Sequence, residues 1–269
     1  MSGLLLIIVL LFILGLAIGS FLSVVIYRLV HNDSPLRGRS YCDNCKKQIA
    51  WYDNIPLLSF ILLRRKCRYC GHPIPWEYPA VEFLTGALFV WWFVVGFTFF
   101  RLSERPFLVV QPLFWLFVGI LLVVIFFTDY LYYIIPDSAV LLLTLMTLVY
   151  RLFLTGTHIM MSHDFALAIA CGIGASLFFL MLFLLTRGRG MGFGDVKLAF
   201  PLGLLLGWPN TLVALFLSFL IGASVGIVTI IVGKKKLKSA VPFGPFLVIG
   251  ALIALLWGSQ LVRMYMSLL

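Results

Sequence analysis

Long apolar runs almost free of charge constrain this chain more than any other feature. The first, from Ser2 to Tyr27, contains no Asp, Glu, Lys or Arg. A helix crosses a bilayer's hydrocarbon with about 20 apolar residues, and several runs here reach that length. In lipid every backbone polar group must be satisfied internally, which leaves helices or closed barrels, and these runs lack the alternation of barrel strands. Composition agrees: 62% of residues are apolar and 11% charged, against about half and a quarter in soluble domains. The expected fold is an all-α, polytopic membrane helical bundle. The first run has no basic residue ahead of it, is too long for a signal core and lacks an A-x-A-like cleavage site, so it reads as a retained span.

About eight spans are expected, near residues 3–27, 80–100, 110–128, 136–155, 164–186, 196–208, 210–232 and 244–262. The sixth is short for a crossing and reads as tilted, half-buried or merged with its neighbour. Basic residues set the orientation. Arg28, Arg37, Arg39, Lys46, Lys47, Arg64, Arg65, Lys66 and Arg68 fall in the segment after the first span. Arg187 and Arg189 follow the fifth span, and Lys234, Lys235, Lys236 and Lys238 follow the seventh. Eight spans put these three loops on one side, which the positive-inside rule makes cytosolic, with both termini outside. The Arg101–Arg105 loop and the uncharged Gly207–Asn210 turn then fall outside. The net charge of +10 is therefore placed for membrane orientation and lipid headgroups rather than for nucleic acid.

The division expected is a first transmembrane helix over 1–29, a hydrophilic domain over 30–79 and a membrane core over 80–269. A structureless insert of about 50 residues would be unusual. This one carries Cys42 and Cys45, then Cys67 and Cys70. Two C-x-x-C pairs about twenty residues apart match a zinc knuckle, each turn offering two thiolates to one tetrahedral ion. Four thiolates close the shell, so the metal would be structural and would fold a segment too small to fold alone. Two disulfides are the other reading; they need an oxidising compartment, and the charge rule puts this loop in the cytosol. Cys171, inside the fifth span, reads as a packing residue, and His31 and His72 lack ligand spacing.

The chain has only ten acids, and an acid within a hydrophobic run points to function because burying it is costly. Asp129 closes the third span, Asp137 opens the fourth, Asp195 opens the sixth and Glu82 lies in the second. The topology puts Asp129 and Asp195 at the same face. Were they adjacent, mutual repulsion would disfavour joint ionisation, giving a base for water and an acid for a peptide carbonyl. Gly192 and Gly194 would let the backbone beside Asp195 approach a neighbouring helix or an extended substrate. Plainer readings stand beside these. Asp195 and Asp137 could simply open helices, with Asp137 the better fit; Glu82 could pair with a loop arginine. Lys197 could snorkel, although its nearness to Asp195 permits an electrostatic role.

The ordered motifs resemble the type IV prepilin peptidases, bacterial leader peptidases of pilus, pseudopilus and competence systems. They comprise Gly19–Leu29, both cysteine pairs, Trp51–Ser59, Tyr78–Glu82, Asp129 ahead of Ile135-Pro136-Asp137, Gly190–Lys197 and Pro242-Phe243-Gly244-Pro245. The resemblance implies that Asp129 and Asp195 are the catalytic pair of an aspartic endopeptidase in the cytoplasmic membrane. It implies cleavage of a short basic leader from a prepilin or pseudopilin after a glycine, and, in many members, S-adenosylmethionine-dependent methylation of the new N-terminus. Ser23 stands where the family usually has Asn, and Val30 where Pro is common; the catalytic motifs are intact. Other readings of the acids are an ion- or proton-coupled transporter, a non-catalytic pilus or secretion assembly subunit, and a G-x-G-D protease with another substrate.

Overall fold

The computed structural model describes residues 2–31, 34, 38, 40–42, 44–96, 107–232 and 241–267. Arg37, Arg39, the Arg101–Arg105 loop and the Lys234–Lys238 run lie outside the described residues. The described chain is helical, with only isolated bridges at Tyr41–Gln48 and Lys66–Pro73. It forms two compact units, Met1–Val124 and Ile125–Leu269.

The first unit contains α1 (Ser2–Val30), the cysteine loop and α3 (Glu77–Trp91), which continues as a π turn over Trp92–Gly96. The loop holds a 3-10 turn, Trp51–Asn54, and a short helix, α2 (Leu58–Leu62). Helices α1 and α3 pack antiparallel through small residues. A Cβ on Gly15 would sit 2.8 Å from Gly86 Cα, and one on Gly19 would sit 2.7 Å from Glu82 Cα. Gly15 and Gly19 form a G-x-x-x-G pair, which lets backbones approach where lipid gives no hydrophobic drive to associate. The unit boundary falls within α4 (Phe107–Tyr132).

The second unit adds α5 (Asp137–Gly156), α6 (Ser162–Leu185), α7 (Phe193–Leu206), α8 (Asn210–Ile231) and α9 (Gly244–Met266). Side-chain contacts give the helix register. Ser176 Oγ of α6 donates to Val196 O of α7 at 2.9 Å. Gly172 faces Phe200 and Gly203, and Gly207 faces Ala168, so α6 and α7 are antiparallel. Lys197 pairs with Asp137, while Arg151 Nη2 donates to Leu205 O at 3.0 Å, so α5 runs parallel to α7. Gly250 packs on Ser218 and Gly258 on Asn210, making α8 and α9 antiparallel.

Among the described residues seven helices are long and apolar enough to cross a membrane. Besides the five-residue α2, the exception is α7, whose 14 residues extend about 21 Å against about 30 Å of hydrocarbon. Ten of those residues are buried, so protein rather than lipid surrounds it. It still runs from the Asp137 end of α5 to the Arg151 region, so the described residues give seven candidate spans and one short buried helix where about eight spans were expected.

Candidate active site and four-cysteine centre

One end of the second unit gathers the acids. Asp129 sits in the last turn of α4, and its neighbour in space is the start of α9. The Gly244 N–H donates to Asp129 Oδ2 at 2.8 Å. A Cβ on Gly244 would lie 2.7 Å from that oxygen, so any side chain there displaces the carboxylate. Phe243 seats the turn: its ring lies 5.0 Å from that of Phe219 and 5.9 Å from that of Phe179, centroid to centroid. Gly222 lets the same ring cluster pack against α8.

Asp195 is the third residue of α7. Its carboxylate accepts the Gly192 N–H at 3.2 Å, and its own N–H donates to Gly192 O at 3.2 Å. Asp129 and Asp195 are both buried, 6% and 5% exposed. Ile135, buried between α4 and α5, ties their surroundings together. A Cβ on Gly194 would lie 3.1 Å from Ile135 Cβ, and one on Gly244 would lie 3.2 Å from Ile135 Cδ1. Gly194 is thus needed for close approach to Ile135, and Gly192 supplies the amide that holds Asp195.

Lys197 and Glu82 have different partners from those the sequence suggested. Lys197 pairs with Asp137, the first residue of α5, and lies over the Phe193 ring at 5.7 Å. It clamps the starts of α5 and α7 together, because two residues of helix rotate its long side chain about 200° away from Asp195. Glu82 belongs to the first unit. It accepts the Leu57 N–H at 2.8 Å, a main-chain partner in place of the expected arginine. Among the described residues of the loop, Arg68 makes a forked contact to Asp53 through Nε at 2.8 Å and Nη2 at 2.6 Å. Asp53 holds the Arg68 guanidinium above its ordinary value.

The two cysteine pairs are two copies of one turn. Lys46 N–H donates to Cys42 O and Cys42 N–H to Lys47 O; likewise Gly71 N–H donates to Cys67 O and Cys67 N–H to His72 O. The residue after each second cysteine takes a left-handed conformation, Lys46 at φ 56° and Gly71 at φ 71°. All four Sγ atoms lie within 4.8 Å of one another, and Cys42 and Cys70 are 3.8 Å apart. A tetrahedral zinc with bonds of about 2.3 Å needs sulfur–sulfur edges of about 3.8 Å, whereas a disulfide needs about 2 Å. The Cys70 thiol is pulled down to about 6, chiefly by the His72 N–H and then by the Asn44 amide, as suits a thiolate ligand. The four cysteines are therefore compatible with zinc.

The fold and these sites define a multi-pass helical membrane protein with a buried aspartate pair and a separate four-cysteine centre. Residues 13–95 match the bacterial peptidase A24 N-terminal domain, and residues 116–227 match the type IV leader peptidase family. Among curated proteins, the prepilin leader peptidase/N-methyltransferase of Legionella pneumophila is 32% identical, covering 94% of this chain and 92% of its own. The protein of the same name from Aeromonas hydrophila is 34% identical, covering 96% and 93%. That from Bacillus subtilis (strain 168) is 30% identical, covering 96% and 97%. No solved structure matches. The chain belongs to the type IV leader peptidase family.

Proposed function

We propose that this protein is a membrane aspartic endopeptidase that removes the short basic leader of type IV prepilins or pseudopilins after a glycine. The observation that carries this reading is the buried pair Asp129 and Asp195 at one end of the second unit, each beside a glycine that packs on Ile135. One carboxylate takes a proton from water as the water oxygen attacks the scissile carbonyl, and the other donates its proton to the carbonyl oxygen. Collapse of the tetrahedral intermediate breaks the C–N bond, with a proton delivered to the leaving amine. Gly244 and Gly192 hold the two carboxylates, and Lys197 with Asp137 fixes the helix starts around them.

The protein lies in the bacterial cytoplasmic membrane with its basic loops and cysteine centre in the cytosol and both termini outside. Segments 1–29, 30–79 and 80–269 act as anchor, metal-folded domain and peptidase core. Cys42, Cys45, Cys67 and Cys70 hold a structural zinc ion. The relatives' name extends the reading to methylation of the new N-terminus, S-adenosylmethionine supplying the methyl group. The first unit has a partly open cavity of about 230 Å³ where Ser23, Tyr27 and Tyr78 offer hydroxyls and Glu82 a carboxylate to part of such a group.

The test uses purified protein in lipid with a prepilin-like peptide and mass spectrometry. Wild type removes the leader, and Asp129→Asn and Asp195→Asn each abolish removal while remaining folded. Wild-type cleavage by Asp195→Asn would sink the assignment; ion flux without a peptide product would favour a transporter.

A further inference from the structure

Three of the apolar side chains that the cysteine loop leaves uncovered share one face of α2. Leu58, Ile61 and Leu62 of α2 are 50%, 69% and 71% exposed. Their i, i+3, i+4 spacing makes a single stripe. Behind it, Ser59 is buried and donates to Tyr52 O at 2.8 Å. Phe60 packs on Trp76 with ring centroids 5.0 Å apart. Arg64, Arg65 and Lys66 follow at once, all exposed, and Arg65 lies over the Trp76 ring at 5.1 Å.

The position of this stripe along α1 says what covers it. The Leu57 N–H is tied to Glu82, and Glu82 packs against Gly19 of α1. The start of α2 is therefore held about 17 Å short of Val30, at 1.5 Å per residue. Helix α1, with 29 residues, is about 43 Å long, well beyond the roughly 30 Å of hydrocarbon. A crossing of about 20 residues begun at Leu4 ends near Ser23. The stripe thus lies where α1 leaves the acyl chains, with the cations beside it at headgroup level.

We propose that α2, Trp76 and the Arg64–Lys66 triplet form a membrane-interface anchor that lays the four-cysteine loop on anionic phospholipid of the same bilayer. Apolar residues dip into the acyl boundary, the indole sits at the interface, and the cations meet negative headgroups. A basic prepilin leader has the wrong charge for this triplet, which favours lipid over substrate as the occupant. The proposal does not depend on the peptidase reading.

Amide hydrogen exchange of the full chain in nanodiscs tests it. In phosphatidylglycerol-containing discs, exchange over residues 57–66 should be at least roughly fivefold slower than in pure phosphatidylcholine. High salt, or the combined Arg64→Gln, Arg65→Gln, Lys66→Gln variant, should remove the difference while zinc content stays constant. Ile61→Ser with Leu62→Ser should speed exchange in both lipids. The charge variant leaves the apolar stripe intact, so it keeps the test valid if the serine variant misfolds. Equal exchange in detergent and in both lipids would overturn the proposal. So would protection that appears only when a prepilin peptide is added, which would assign the face to substrate.

Discussion

Gly244→Ala is the sharpest perturbation of the aspartate pair. The added Cβ would stand 2.7 Å from Asp129 Oδ2 and 3.1 Å from its Cγ, with Ile135 Cδ1 at 3.2 Å on the other side. Neither neighbour is the free end of a flexible chain, because both Asp129 and Ile135 are buried. The carboxylate must move, and its 2.8 Å bond from the Gly244 N–H lengthens or breaks. A hydrogen bond to a charged group contributes about 1.5–3 kcal/mol. Losing about 2 kcal/mol of it lowers kcat roughly thirtyfold, and displacement of the carboxylate adds to the loss. The assay is leader removal by the purified protein, followed by mass spectrometry over a range of peptide concentrations. The loss should fall on kcat, with KM little changed, because the added Cβ acts on the buried Asp129 carboxylate. Gly174→Ala is the matched control: nothing lies within 4 Å of the Cβ it adds, so it should keep full activity. Wild-type kcat in Gly244→Ala would refute the placement of this amide on Asp129.

Separating Lys197 from Asp137, as Lys197→Met or Asp137→Asn, should cost at most about 1 kcal/mol of stability, because an exposed pair is weak. Thermal unfolding in detergent and a double-mutant cycle measure it. Gly203→Leu places a side chain where even a Cβ would meet Cys171 O and Gly172 Cα at 2.7 Å; it should destabilise the protein by more than about 2 kcal/mol, read as a lower midpoint in the same melt. Cys45→Ser should reduce bound zinc and expose the loop to protease, followed by metal analysis and limited digestion. With the Cys70 thiol at about 6 rather than its ordinary 9.0, its thiolate contribution is complete above 9.0 and is lost as pH falls through about 6. Zinc affinity should therefore drop on acidification through that value, measured by competition with a chromophoric chelator.

Features with local spacing were legible in the sequence. Each C-x-x-C turn is six residues long and closes on itself, so its motif reports the clustered four-cysteine centre directly. The apolar runs likewise report spans by length alone. What escaped depends on pairings between distant residues. Gly244 reaches Asp129 across 115 positions, and the only local sign was Pro-Phe-Gly-Pro ahead of the last apolar run. Ile135 joins two glycine turns through packing that no periodicity encodes. Lys197 looked like a neighbour of Asp195, but helix geometry gives it to Asp137. Glu82 found a main-chain N–H, a partner carrying no side-chain signature.

Helix polarity explains how two acids can be buried at one end of the second unit. Asp195 lies in the first turn of α7, where unsatisfied N–H groups and the helix dipole suit a carboxylate. Asp129 lies in the last turn of α4, whose free carbonyls offer it nothing. The start of α9 makes good that deficit through the Gly244 N–H. Register at the start of α9 should therefore matter more than the composition of the chain leading to it. One alanine inserted between Phe243 and Gly244 rotates the helix start by about 100° relative to the Phe243 ring, so either Phe243 leaves its cluster or the amide leaves Asp129. Cleavage should be abolished, with the protein still membrane-inserted. The same insertion after Val232, outside both contacts, should leave cleavage within about twofold of wild type, since one residue of added connection length costs little. Equal activity of the two insertions would show that Asp129 is held by something other than α9.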